Sequence, residues 1–326
     1  MKVDWLTNSW YQPSRLTWLL TPISWLYRLI IWLRRQAYRY GIFKQISMPV
    51  PVIVVGNISV GGSGKTPFVI WLAQYLQNQG WRPGIISRGY GGKADNYPCS
   101  VRNDSLASQV GDEPLLIKRR TQCPVVVAPD RVAAGKQLLA ENACDVIITD
   151  DGLQHYRLQR DLEIVIIDSQ RGMGNQSCLP AGPLREPTSR LNTVDFVIQH
   201  GESNKADLSM QLQLQNAIQL QDESSQKALS EFGDTPIHAV AGIGHPQRFF
   251  TQLQLSGLTV IPHAYADHHH YTAADFQFDE PYPILMTEKD AVKCQSFATD
   301  TMWSVPAEAR LSPSLGSEID KKLREL

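Results

Sequence analysis

The chain has 326 residues, enough to bury a substantial core as one large domain or two smaller ones. Its composition, 43% hydrophobic and 19% charged, excludes a disordered chain, and a formal net charge of −1 excludes an overall basic excess suited to nucleic acid. Five widely spaced cysteines (Cys99, Cys123, Cys144, Cys178 and Cys294) include no CxxC pair, which argues against a disulfide framework or zinc site and fits a reducing compartment.

The first distinctive element is residues 16–33, LTWLLTPISWLYRLIIWL, followed by Arg34, Arg35 and Arg39. Pro22 and Arg28 interrupt it, and no small-residue cleavage site follows, so it does not read as a signal peptide. A spanning helix needs about 20 mostly apolar residues. Tryptophans beside an arginine cluster suit a helix lying in the membrane interface. Packing on the protein's own core is the alternative. Residues 1–45 are therefore expected to be a membrane-associated segment, spanning or interfacial.

From Pro51 the sequence alternates strands and helices. Residues 51–56 (PVIVVG) are a continuous β-branched run, as a buried parallel strand requires. A Gly-rich loop follows, then an amphipathic helix over 68–79 stopped at Gly80. Further buried strands are expected at 84–87, 124–128, 146–149, 163–167 and 196–198, with helices at 113–120 and 131–142 among them. That alternation predicts an α/β fold: a mostly parallel, P-loop NTPase-like sheet with helices on both faces. After His200, residues 209–214 alternate with period two and, with 217–220, predict a small ribbon. A second βα pattern begins at 237–241 and includes 283–287. The expected division is thus 46–230 for a P-loop domain with a possible ribbon near 208–221, and 231–326 for a smaller C-terminal α/β domain.

A phosphate loop needs inward backbone N–H groups, a lysine and a hydroxyl for Mg²⁺. In Ser59-Val60-Gly61-Gly62-Ser63-Gly64-Lys65-Thr66 the glycines permit that path, Lys65 reaches the β/γ-phosphates and Thr66 ligates the metal. Ser59 stands where the GxxxxGK[ST] pattern has its first glycine. The preceding apolar strand and following helix supply the context the mechanism demands. Residues 146–151 (VIITDD) end a buried strand in Asp150 and Asp151, at the sheet edge where phosphates bind, so a carboxylate there can hold Mg²⁺. Adjacent residues on a strand point oppositely, so only one touches the ion unless the chain turns, which Gly152 allows.

Seven further segments accompany the loop: 56–57 (GN), 87–92 (SRGYGG), 110–114 (VGDEP), 150–155 (DDGLQH), 180–187 (PAGPLREP), 267–269 (DHH) and 287–293 (TEKDAVK). With them the chain closely resembles the tetraacyldisaccharide 4'-kinase family, the lipid A 4'-kinases of Gram-negative bacteria, from the N-terminal apolar segment to at least Lys293. The resemblance implies ATP and Mg²⁺ as cofactors and an acylated disaccharide 1-phosphate as acceptor, whose 4'-hydroxyl attacks the γ-phosphate. It implies a place at the cytoplasmic face of the inner membrane, peripheral or held by a single N-terminal anchor, with no nucleic-acid partner and no protein partner required. Asp112 resembles the family's catalytic base and His268 its partner, although the run His268-His269-His270 leaves the active imidazole open.

Arg88 and Arg185 are suited to clamp a phosphate bidentately. Glu113, Gln154, His155 and Glu186 are further candidates for metal or substrate contacts, or else helix-start acids and loop hydrogen-bonders. Lys289 follows a strand, where it either binds substrate or begins a helix. A membrane-associated ATPase that switches a protein partner is the competing reading. A GTPase is disfavoured because Thr287-Glu288-Lys289-Asp290 lacks the spacing of a guanine-binding [NT]KxD segment.

Overall fold

The computed structural model describes residues 4–12, 14–201 and 208–326, so the first residues of the expected membrane-associated segment lie outside the described residues. Nine α-helices are described: α1 Asp4–Ser9, α2 Arg15–Arg39, α3 Lys65–Asn78, α4 Ala107–Val110, α5 Asp112–Thr121, α6 Arg131–Glu141, α7 Pro246–Leu255, α8 Glu288–Cys294 and α9 Leu315–Arg324. The strands in chain order are β1 Val52–Gly56, β2 Pro83–Ser87, β3 Cys99–Val101, β4 Val125–Val127, β5 Val146–Asp150, β6 Leu162–Asp168, β7 Phe196–His200, β8 Ser209–Leu214, β9 Ala217–Gln219, β10 Gln226–Lys227, β11 Ile237–Ala241, β12 Val260–Ala264, β13 Ile284–Thr287, β14 Met302–Val305 and β15 Ala307–Leu311.

Among the described residues these strands form two sheets, ordered β15-β8-β7-β6-β1-β5-β2-β4-β3 and β10-β9-β14-β13-β11-β12. In the first, β1 pairs in parallel with both β5 and β6, which puts the residues after β1, β5 and β6 on one sheet edge. Every residue of β1, β2 and β5 is buried, which is why these strands read as continuous apolar runs rather than as alternations. Ile53 and Val55 share one core with Phe68 and Leu72 of α3, Leu115 of α5 and Ile319 of α9. Val52 and Val54 face the other way, into a core with Val132 and Leu138 of α6. The expected doubly covered α/β sheet is present, with α6 and its neighbours on one face and α3, α5 and α9 on the other.

The division between the sheets differs from the expected one. Ser209–Leu214 and Ala217–Gln219 do not pair as a ribbon: β8 joins β7 and β15, whereas β9 joins β10 and β14. The second sheet therefore begins at Ala217 rather than near 231, and it ends at Val305. The chain then recrosses to the first sheet, beside its outward path, where Gln215 N donates to Pro306 O at 2.9 Å. Helix α9 packs back on α3, with Gly316 against the Tyr75 ring and Trp81 Nε1 donating to Asp320 at 2.8 Å. A period-two pattern marks a strand but carries no information about which distant strand it joins.

Helix α2 is the expected N-terminal element, capped by Ser14, whose hydroxyl accepts from Leu16 N at 3.2 Å. It is long and apolar enough to cross a membrane by length and composition. One face is attached to the body: Ser24 Oγ donates to Cys178 O at 2.6 Å, Tyr27 Oη to Arg185 O at 3.2 Å, and Arg35 Nη2 to Thr193 Oγ1 at 2.8 Å. The other face exposes Trp18, Leu19, Trp25, Leu26, Trp32 and Leu33.

Leu138 of α6 is wholly buried, with a methyl 2.6 Å from where a Cβ on Gly84 would lie. Truncating it leaves a cavity beneath β2. Leu138→Ala is expected to lower the free energy of unfolding by about 3 kcal/mol, read as a reduced denaturant midpoint with unchanged slope.

Candidate active site

The two sheets flank an open cleft of about 1160 Å³ whose lining includes the loop 60–66, the ends of β5 and β7, and residues from the second sheet. A phosphate-binding loop turns its N–H groups inward, so its carbonyls point outward and need donors of their own. Here Asn57 Nδ2 lies 3.4 Å from Gly61 O and 3.2 Å from Ser63 Oγ, and His200 Nδ1 lies 3.0 Å from Ser63 O. Left-handed φ occurs at Gly61 (113°) and Gly64 (88°). Ser59 instead sits in a β-bridge with Leu184, flanked by Val60 N donating to Pro183 O at 2.8 Å and Arg185 N to Ile58 O at 2.7 Å. An extended residue needs no glycine, which explains the departure at Ser59.

The strand-end carboxylates have different surroundings. Asp150 is buried, its Oδ1 has no partner, and burial with the nearby charges of Glu113 and Asp151 pushes its carboxyl up to about 7 despite Lys65 and Arg131. Asp151 takes φ +52°, so the chain does turn there. It lies 3.6 Å from Lys65 Nζ and accepts from Arg185 Nη1 at 3.0 Å. Burial opposes its charge, but Lys65 and Arg185 hold it below the usual carboxylate range.

Asp112 begins α5 after Gly111, whose φ is +91°. The glycines of the SRGYGG segment let two backbones touch here: a Cβ on Gly92 would lie 2.5 Å from Gly111 N. Across the cleft, His268 has φ +59° and places Nδ1 2.9 Å from Asp112 Oδ2, with Tyr90 packed on its ring. His269 faces Asp275 at 3.6 Å instead, so of these two imidazoles His268 meets the acid. Burial disfavours the charged His268 ring, but the hydrogen bond to Asp112 raises its pKa above the ordinary value. Burial likewise opposes the Asp112 charge, and His268, Lys289 and Lys293 outweigh it to hold the carboxyl low.

The remaining expected residues divide into two groups. Arg88 is exposed on the cleft wall. Arg185 pairs with Asp151, and Glu113 accepts from Lys289 Nζ at 2.9 Å. Gln154 and Glu186 mainly brace the loop. Gln154 Nε2 donates to Asn57 O at 3.1 Å and Glu186 Oε1 at 2.9 Å, and the 1% exposed Glu186 also accepts from the Tyr156 hydroxyl. His155 lies 3.7 Å from Asp130, its pKa lowered to about 4 by burial and by Arg131.

Three residues, Arg131, His200 and Arg248, escaped the sequence reading, and Lys289, which it left open, also falls in the site. Arg131 is 4% exposed at the start of α6, close to Asp150 and Asp151, with burial lowering its pKa to about 10. Lys289 also bonds Asp267 at 3.0 Å and lies 3.4 Å from His268 Nε2, so its ammonium sits beside the Asp112, Glu113 and His268 cluster where a metal would otherwise fit. His200 and Arg248 lie beside the glycine loop. Applying the strand-end rule to β4 and β7 as well as β5 picks out Arg131 and His200.

A mostly parallel sheet with a glycine loop after its central strand, a lysine and hydroxyl starting the next helix, and acids ending the adjacent strand define a P-loop phosphotransferase architecture. Residues 16–324 match the family model for tetraacyldisaccharide-1-P 4'-kinase. The chain is 51% identical over 318 residues to the tetraacyldisaccharide 4'-kinase of Nitrosococcus oceani, covering 97% of this chain and 93% of that one. It is 53% identical over 306 residues to the enzyme of that name from Pasteurella multocida, covering 93% of each. The crystal structure of apo-form LpxK from Aquifex aeolicus, described as in complex with ATP, superposes with a TM-score of 0.77 at 29% identity, covering 95% of this chain and 99% of that one. The chain belongs to the tetraacyldisaccharide 4'-kinase family. Its activity is phosphorylation of the 4' position of a tetraacyldisaccharide 1-phosphate, a step of lipid A biosynthesis, and the switch-ATPase reading is not favoured.

The Asp112–His268 contact gives a titration test. Asp112→Asn removes the carboxylate that raises the His268 pKa and leaves burial and the Lys289 charge to lower it against Asp267. The His268 pKa, above about 6.5 in the native protein, should fall below that value. Histidine NMR, with the signal assigned by His268→Gln, reads the change, and an unchanged titration would show that the two groups do not interact in solution.

Proposed function

We propose that the 59–66 loop holds ATP, that Asp112 receives the proton of the acceptor's 4'-hydroxyl, and that His268 orients Asp112 from the second sheet. The observation that carries this reading is the 2.9 Å Asp112–His268 contact across a cleft that the glycine loop also lines. Phosphoryl transfer depends mainly on positioning and charge stabilisation. The 4' oxygen forms its bond to the γ-phosphorus as the bond to the bridging oxygen breaks and ADP leaves. Asp112, held ionised by its neighbours, needs only to stand within reach of the hydroxyl proton. Lys65, Arg88, Arg131 and Arg185 supply the positive charge around the phosphates. In this view Arg185 is parked on Asp151 until an anionic ligand competes for it.

The site residues fit Mg²⁺. The candidates are oxygen donors, Thr66, Asp150 and Asp151, and the buried Asp150 Oδ1 has no partner to satisfy it. A bound ion there supplies neutralising charge to the phosphates. The raised Asp150 carboxyl makes the ion compete with a proton below pH about 7.

The exposed tryptophan and leucine face of α2, followed by Arg34, Arg35 and Arg39, supports attachment at the cytoplasmic face of the inner membrane. Contacts from Ser24 to Arg35 fix the other face to the body. That favours a helix lying along the interface, where acyl chains stay in lipid and the sugar enters the cleft.

Purified protein, labelled ATP, Mg²⁺ and the acylated disaccharide 1-phosphate in detergent should yield labelled lipid; label found only as free phosphate would overturn the reading. Asp112→Ala should lower kcat by about 10²–10⁴ with ATP affinity within about twofold. A parallel loss of both would assign Asp112 to the nucleotide. Mg²⁺ affinity in the presence of ATP should fall about tenfold per unit as pH drops below about 7, and a flat profile would exclude Asp150 as a ligand. Replacing Trp18, Trp25 and Trp32 together by Ser should shift the protein out of the sedimenting membrane fraction while ATP affinity stays constant.

A further inference from the structure

A loop that gathers N–H groups around an anion leaves its own carbonyls facing the protein, and something must donate to them. At Ser63 that donor is His200, the last residue of β7 and two strands away from the loop's own strand. His200 is 4% exposed, and its Nδ1 lies 3.0 Å from Ser63 O. The ring also fits closely under the next residue: a Cβ on Gly64 would meet His200 Nδ1 at 2.6 Å and Met210 Cε at 2.9 Å. Opposite a carbonyl, Nδ1 must carry the proton, which leaves Nε2 as the acceptor. Arg248 Nη1 lies 3.1 Å from Nδ1 and 3.2 Å from Nε2, so the guanidinium rests against the ring rather than on one nitrogen, and Arg248 is itself held by Asp168, with Nη2 3.1 Å from Oδ1 and Nη1 3.0 Å from Oδ2. Burial and the Arg248 charge depress the His200 pKa to about 4, so the ring is the neutral, singly protonated form this arrangement requires.

Arg248 stands on α7, the helix that follows the first parallel strand of the second sheet. The chain Asp168–Arg248–His200–Ser63 thus runs from the first sheet through a side chain of the second and back to the loop. We infer that His200 is a positioning residue for the donor loop, and that Arg248 fixes its ring so that nucleotide affinity depends on a side chain of the second sheet. The inference rests on the reading that this loop holds the donor phosphates. A loop whose Ser63 carbonyl lacks its donor is free to rotate that peptide, and the N–H groups on either side then lose their common direction.

The two amide isosteres of histidine separate this role from simple packing. Asn places an N–H near the Nδ1 position, and Gln places one near Nε2. In full-length protein in detergent, His200→Asn should bind ATP within about threefold of the native value, whereas His200→Gln and His200→Leu should bind about tenfold more weakly. The KM for the acylated acceptor should be unchanged in all three. Equal ATP affinity for the Asn and Gln variants, whether native or weakened, overturns the inference. Should the His200 variants fail to fold, Arg248→Gln carries the test: weaker ATP binding with unchanged acceptor KM supports the coupling, and native ATP affinity overturns it. Lys65→Met is the control for the underlying reading. Retained ATP affinity there would sink the donor-loop assignment itself, whereas its loss beside a normal His200→Gln would sink only the present inference.

Discussion

Asp150 ends a strand in which every residue is buried, and its carboxyl has been carried into that interior with one oxygen left without a partner. Burying a carboxylate is costly unless charge or hydrogen bonds compensate it, and here burial together with neighbouring acids has pushed the group up to about 7. The surrounding structure answers this one constraint. The charges of Lys65 and Arg131 act on the carboxyl in the opposite sense, and Asp151 is turned away into its own pairing with Arg185. The compensation is incomplete in the protein alone, and the divalent cation proposed for this site would complete it.

The second constraint is that the site draws on two sheets. The acids at Asp112 and Glu113 start a helix of the first sheet, and their partners His268 and Lys289 come from the second. Lys289 has carboxylates on three sides, and these raise its pKa although burial acts against its charge. Such a network is strongly held when complete and costly when a member is missing. The half-buried Arg120–Glu288 pair, at 2.7 Å, ties α5 to α8 directly behind it. The position of the second sheet therefore sets the separation of Asp112 and His268, and the chain crosses between the sheets where Gln215 N donates to Pro306 O.

Glycine has a different purpose at each of its functional positions. At Gly61 and Gly64 it supplies left-handed φ for the anion loop. At Gly92 and Gly111 it lets two backbones meet, which seats the start of α5 beneath the 87–92 segment. Ser59, by contrast, lies in an extended bridge where any residue fits. The irregular loop pattern is thus a consequence of the 180–187 segment pairing with the loop's first residues.

Residues 52–56, 83–87 and 146–150 were legible as buried parallel strands because burial on both faces forces continuous apolar runs. The loop and the strand-end acids were legible because each lies within a few residues of a strand end or helix start, where local chemistry fixes its direction, whereas Asp112 and His268 were named only through the family resemblance. Local sequence carries that information because glycine turns and strand ends restrict the backbone path within a few residues. What local patterning could not carry were the partners: His268 lies 156 residues from Asp112 and was paired with it only by the resemblance, Lys289 lies 176 from Glu113, and His200 lies 137 from Ser63. The split of 209–219 between two sheets and the return of 307–324 to the first were equally hidden. These are decided by which surfaces meet once both cores are buried, a property of the whole chain that no window of sequence contains.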